Sequence, residues 1–189
     1  MFSSRSITAG LLALGFAADP AFAAPDIYSN GPTPAEACAE GVATPGAASP
    51  ALKRVCEDAV SQKTLSRKDR AATLANSGIV SLRLGDFEPA LIRLQEAAEL
   101  GPLQGDISVS LAATLIRLGR ADEAVAALSD IEVVSPENQH IAYYNRALAH
   151  WVLEETEEAY RDFYTSAALK PGFAPAEDAL GQFKVASVE

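Results

Sequence analysis

A period of 34 residues constrains this chain more than any other feature. Leu84-Gly85 falls on Leu118-Gly119, Ala90 on Ala124, Leu94 on Leu128 and Pro102 on Pro136, each at an offset of 34. A third copy follows at an offset of 35, with Leu153 for Leu118, Ala159 for Ala124, Phe163 for Leu128 and Pro171 for Pro136. One residue is therefore inserted, and the loop around Glu137 to Gln139 is its expected place. A fixed period of this length, with a helix–turn–helix in each copy, means a solenoid in which every hairpin buries its apolar face against the next.

The recurring residue types have physical reasons. Small side chains at helix crossings let antiparallel backbones approach closely, and larger ones would push the axes apart. Gly85 and Gly119 suit the left-handed position just past a helix end. Pro102, Pro136 and Pro171 lack an N–H and disfavour helix in the residue before them, so each punctuates the chain between copies. Pro89 looks like a breaker but follows Asp86 by three residues, which places it in a first turn, where a missing N–H costs little.

These copies resemble the tetratricopeptide repeat (TPR) family over residues 71–173. The family's small position in the first helix is Gly78, Ala112 and Ala147, and in the second helix Ala90, Ala124 and Ala159. A third small position holds Ala97 and Ser166, but Ile131 in the middle copy. Further departures are Glu154 where the family has its inter-helix glycine, and Leu74, Ser108 and Tyr143 at its aromatic positions. The resemblance implies an all-α fold: a right-handed α-solenoid of three TPR helix–turn–helix repeats. The expected copies are 71–104, 105–138 and 140–173. They follow a helical lead-in over 34–70 and precede a C-terminal capping helix over 174–189.

Within the lead-in, Leu52, Val55, Cys56, Ala59 and Val60 recur at helical spacing and predict the second helix of a degenerate leading repeat over Pro50 to Gln62. Ser66 followed by Asp69 reads as a cap starting the next helix. The run from Cys56 through Leu65-Ser66 resembles the lead-in of exported bacterial members of the family. Downstream, Ala174 to Val185 offers Leu180, Phe183 and Lys184 as part of the capping helix that a solenoid end requires.

The first 23 residues carry a targeting pattern. Arg5 supplies a positive start, Ile7 to Ala18 an apolar run, and Ala21-Phe22-Ala23 a small-residue cleavage site. That run of 12 residues is too short for a hydrocarbon core that needs roughly 20. No integral membrane span is expected, and no cysteine follows the cut to take a lipid. Residues 24–33 show no periodicity and read as a flexible leader. Export to the periplasm is the expectation, with full secretion second. In such a compartment the only cysteines, Cys38 and Cys56, predict a structural disulfide across 17 intervening residues. Two free thiols or a thiol redox pair are the rivals, although active dithiols favour C-x-x-C spacing.

The charge balance narrows the partners. A net charge of −10 with no basic stretch argues against nucleic acid. The resemblance implies a concave groove lined by the first helices, where an extended peptide or partner helix would lie. Carried over position by position, the lining is Ala72, Ala75, Asn76, Ile79, Leu82 and Arg83. The second copy gives Asp106, Val109, Ser110, Ala113, Ile116 and Arg117, and the third Ile141, Tyr144, Asn145, Leu148, Trp151 and Val152.

The candidates with most to offer a ligand are Asn76, Ile79, Arg83, Val109, Ile116, Arg117, Tyr144, Asn145, Leu148 and Trp151. Arg83 and Arg117 lie one period apart and could hold a carboxylate or backbone carbonyls, or simply form a solvated rim with local ion pairs. Asn76 and Asn145 could equally bond to backbone. The family's carboxylate clamp of lysines and asparagines is matched only at Asn76, so that activity is not expected. Tyr143, Tyr144, Trp151, Tyr160, Phe163 and Tyr164 crowd into 22 residues. An aromatic cluster at helical spacing reads as core, with Tyr160 and Phe163 expected there, and Tyr144 and Trp151 either there too or acting as interface anchors.

Catalysis is not expected. His140 and His150 lie about 15 Å apart along one helix and cannot share a metal. Glu154, Glu155, Glu157 and Glu158 span a turn and a helix start, where carboxylates are favoured without any chemistry. No cofactor or metal signature is present. The chain therefore reads as a non-catalytic, protein-binding scaffold of the cell envelope. A solenoid whose own N-terminal segment fills the groove, with convex binding or homo-oligomerisation, is the alternative.

Overall fold

A computed structural model describes residues 31–44, 48–101 and 104–183. The cleavage pattern at Ala21–Ala23, most of the leader, Pro102 and Lys184 lie outside the described residues. Those described form nine α-helices and one short 3-10 turn, with no strand among them. The helices are α1 (Pro34–Ala43), α2 (Pro50–Ser61), α3 (Arg67–Leu84), α4 (Phe87–Leu100), α5 (Gln104–Arg117), α6 (Ala121–Ala127), α7 (Pro136–Val152), α8 (Thr156–Leu169) and α9 (Ala174–Leu180). Consecutive helices pair as hairpins, and each first helix also packs on its successor, α1 on α3, α3 on α5 and α5 on α7. The result is an all-α solenoid.

Local chemistry sets the helix starts. Thr33 accepts from the Glu36 backbone N–H while the Glu36 carboxylate accepts from that of Thr33, a reciprocal capping box. Ser49 caps α2 through the Leu52 N–H, and Ser66 caps α3 through the Asp69 N–H. At the hairpin turns Gly85 and Gly119 take φ of 85° and 73°, and Glu154, where the periodicity expects glycine, is held at φ 62°. An L-residue is strained there because its Cβ crowds the following carbonyl.

Packing depends on the small residues. Ala90, Ala97, Ala112, Ala124, Ala147 and Ala159 are fully buried. A Cβ placed on Gly78 would stand 2.7 Å from Leu94 Cγ, so α3 and α4 cross too closely for any side chain there. Leu91, Leu115 and Leu128 join Ile131 and Val134 in a central core, which continues through Leu74, Leu94 and Ile107 on one side.

The middle copy departs from a regular hairpin. Its second helix, α6, has seven residues where α4 and α8 have 14, and the chain continues through a 3-10 turn at Ile131–Val133. Ile131 explains the break. At this position Ala97 and Ser166 fit a close crossing, but a buried isoleucine needs room, so the chain leaves the helix to insert it. Gly105 admits the detour, since a Cβ on it would meet the Val133 carbonyl oxygen at 2.1 Å. The extra residue of the third copy is not in a loop. Glu137 to Gln139 form the first turn of α7, which has 17 residues against 14 in α5, and Pro136 opens that helix. The capping helix is shorter than expected, because α9 stops at Leu180 and Gly181 ends it.

Cys38 and Cys56 form a disulfide, both sulfurs fully buried, with Ala59 and Val80 packed around them. It ties α1 to α2 and contributes about 3 kcal/mol by restricting the unfolded chain.

Candidate functional site

The face formed by α3, α5 and α7 carries two hollows. One, of about 160 Å³, lies between α3 and α5 and is lined by Ala72, Asn76, Ile79, Asp106, Ile107 and Ser110, with Ala75 at its base. The other, of about 380 Å³, spans all three helices. Leu82, Ala113, Ile116 and Leu148 form its apolar floor, and Arg83, Arg117 and Asn145 its polar edge. Most of the carried-over positions line these two hollows, but Val109, Ile141, Tyr144, Trp151 and Val152 line neither, and the side chains that do divide between holding the solenoid together and facing outward.

Three of them are engaged in ties between helices. Asn145 is buried and donates from Nδ2 to the Val109 carbonyl at 3.1 Å, joining α7 to α5, and Val109 itself lies in the core. The Asp106 carboxylate accepts from the Ser135 hydroxyl (2.5 Å), the Ser135 N–H (3.2 Å) and Asn138 Nδ2 (3.1 Å). It fastens the start of α7, which presents positive dipole to an anion. Arg83 donates to the Val42 carbonyl at 2.9 Å, reaching back to a C-terminal carbonyl of α1 that lacks a helical partner.

The outward group differs. Asn76 and Ile79 are partly exposed, and among the described residues Asn76 has no hydrogen-bond partner. Arg117 is exposed, its guanidinium 4.5 Å above the Phe87 ring, and among the described residues it has no ion pair. This cation–π contact orients Arg117 without consuming its N–H donors.

The aromatic cluster is split in two. Tyr144 packs against Phe163 and Phe173 with ring centroids 5.6 and 5.5 Å apart, so it braces the joint with α9. Phe163 is buried as expected, whereas Tyr160 is not a core residue and lies on the surface. The expected core position fails because the buried face of α8 is taken by Ala159, Asp162, Phe163 and Ser166. Trp151 is exposed and meets Phe183 edge to face at 5.0 Å.

Charged ties within and between the hairpins were not anticipated. Arg146 clasps Asp162 with two bonds, at 2.7 and 2.9 Å, and gives a third to the Leu128 carbonyl. The bonds to Asp162 raise the Arg146 pKa against the opposing effect of burial. Glu57 bridges Arg93 (2.6 Å) and Ser77 (2.9 Å). Burial pushes its carboxyl upward, but the bonds from Arg93 and Ser77, with the charges of Arg93 and Lys53, leave it below the ordinary value. His140 is buried edge-on to Phe173 at 5.0 Å, and desolvation, with Lys170 nearby, lowers its pKa. His150 meets Glu155 and lies 3.9 Å from Asp162. Among the described residues no cluster of three or more His, Cys, Asp or Glu has metal-site geometry. What this face offers chemically is apolar surface and hydrogen-bond donors.

No family model matches the chain, and no curated protein matches it. Among solved structures it is similar to one described as "MamA RS-1 ArsTM double mutant", at 21% sequence identity and a TM-score of 0.59. The likeness covers 69% of this chain and 71% of that one. At this identity the likeness is one of fold. That neighbour is a TPR helical solenoid, and the architecture here is TPR-like.

Proposed function

We propose that this chain is a non-catalytic scaffold that holds a peptide or a helix of another protein along the face of α3, α5 and α7. The observation that carries this reading is the hollow of about 380 Å³ crossing all three helices, apolar in its floor and edged by Arg117. Burying apolar side chains there would contribute about 25 cal/mol per Å² removed from water. Arg117, held over Phe87, would fix direction by a paired hydrogen bond to a carboxylate. Asn76 would meet backbone groups further along.

The compartment belongs to the same reading. The buried disulfide supports an oxidising, exported location, and no described helix is long and apolar enough to cross a membrane. With the targeting pattern at the N-terminus, we place the scaffold in the bacterial periplasm. A second reading, in which the N-terminal segment fills the groove, draws on the bond from Arg83 to Val42 in α1.

A photo-crosslinker at Ile116 in the intact chain tests the groove, with Ile92 on α4 as the comparison position. The expected result is one adduct from Ile116 that disappears with Arg117→Glu while the helical circular dichroism holds. Adducts from Ile92 alone, or an Ile116 adduct to the chain's own residues 24–45, would overturn it.

A further inference from the structure

The end of the solenoid carries a second exposed surface, which meets the larger hollow at Leu148. Trp151 (46% exposed) and Val152 (56%) close α7, and Tyr160 (39%) and Tyr164 (60%) project from α8. The three aromatics are continuous through Phe183, which contacts Trp151 at 5.0 Å and Tyr160 at 5.3 Å, while Tyr160 stacks on Tyr164. Exposed aromatic area of this kind marks an interaction surface.

Two observations identify what fits it. The first is the length of α9. It takes the place of a first helix, packing on α8 and setting Ala179 and Leu180 against Phe163. The other first helices of the repeats have 18, 14 and 17 residues, and α9 has seven. The shortfall of seven to eleven residues amounts to about 10–16 Å of helix at 1.5 Å per residue. Over that distance, toward the α7–α8 turn, the stacking side of the last hairpin has no helix of the described residues on it. The small hollow between Leu148, Trp151, Ala179 and Phe183 opens at the point where α9 stops. Among the described residues, that stretch is left for a helix to fill.

The second observation is charge. The same elements expose Glu154, Glu155, Glu157, Glu158, Glu177 and Asp178, against Arg161 and Lys170, and Arg161 is already paired with Glu157. A second copy, at net charge −10, would bring the same carboxylates to a two-fold interface and be repelled. A cationic segment is attracted instead.

We propose that this end face docks an amphipathic helix of another protein, with leucine-like residues on one side and lysine or arginine along its edges. The helix would lie over Trp151 and Tyr160 as a continuation of the α9 position. Its site is independent of Arg117.

Trp151 is the only tryptophan and reports on the site directly. The probe is an 18-residue helical peptide of leucine and lysine only, titrated into the full chain, with a leucine–glutamate peptide of the same pattern as control. Saturable one-to-one binding is expected, with a blue shift of Trp151 emission and at least a twofold fall in its quenching by acrylamide. Tyr160→Ser with Tyr164→Ser should weaken binding tenfold or more, and Arg117→Glu should leave it unchanged, which separates this site from the groove. Unaltered Trp151 emission, equal binding of the glutamate peptide, or insensitivity to the tyrosine changes would overturn the proposal. So would shielding of Trp151 that rises with protein concentration alone, which would assign the face to a second copy. Shielding that vanishes on deletion of 184–189 would assign it to this chain's own tail.

Discussion

Glu154 offers the sharpest test of how the repeat's turns are built. Its φ of 62° lies in the region that Gly85 and Gly119 occupy at the same step of the other two copies. Holding an L-residue there costs about 1–2 kcal/mol. Glycine removes that cost but enlarges the unfolded ensemble, a loss of about 0.4–1 kcal/mol. The expected net gain for Glu154→Gly is therefore about 0.5–1 kcal/mol, roughly 1–4 °C in melting temperature for a domain of this size. Glu154→Ala keeps the Cβ and removes the carboxylate, so no comparable gain is expected. The converse change, Gly119→Glu, should cost a similar amount, since an added Cβ meets nothing within 4 Å and only the backbone conformation is at issue. Thermal and urea unfolding followed by circular dichroism measure all three. Equal gains from alanine and glycine would show that charge and not backbone strain governs the turn, and an unchanged Glu154→Gly would refute the strain itself.

Two further outcomes follow from the buried charges. Arg146→Met should destabilise by about 3–5 kcal/mol, because Asp162, with its side chain only 7% exposed, loses its bidentate partner. Adding Asp162→Leu to that variant should recover much of the loss in urea unfolding, and failure to recover would mean the pair is not the unit. Acidification should act through His140, whose folded pKa lies below its ordinary value of about 6.5. The unfolded state then binds more protons, so the contribution from burying neutral His140 is fully present above about pH 6.5 and declines as pH falls below it. Melting curves between pH 7.5 and about 5 should show a smaller drop for His140→Gln than for the parent, and parallel profiles would exclude His140 as the source.

Most of the architecture was legible because it depends on repetition. Gly78, Ala112 and Ala147 recur because every hairpin has a close helix crossing at that position, and a requirement met three times leaves a periodic mark. The short α6 was harder to see, although Ile131 was visible as the odd member of a small-residue position. One bulky side chain does not reveal whether the helices will separate or the chain will bend around it. Here Gly105, 26 residues upstream, allowed the bend.

The charged ties had a signal that single-residue reading passes over. Ser77, Leu111 and Arg146 occupy one repeat position, and Arg93, Ala127 and Asp162 another. The two positions change together: polar with polar in the first copy, apolar with apolar in the second, a full ion pair in the third. Compared across copies, they would have identified facing residues within a hairpin.

The first-helix face was legible in outline and not in its division of labour. The family resemblance assigned Asp106, Asn145 and Arg83 to a surface, but their bonds run to Ser135, Val109 and Val42, each in another hairpin or just before one. Such partners lie 29 to 41 residues away in sequence, beyond any local pattern. These ties set the spacing of α1, α3, α5 and α7, and the hollow that crosses α3, α5 and α7 depends on that spacing. The residues that hold the face open and those left facing outward are therefore different members of the same register. A ligand's contact energy would fall on Arg117, Ile116 and Leu148, while Asp106 and Asn145 determine whether those three can be reached together.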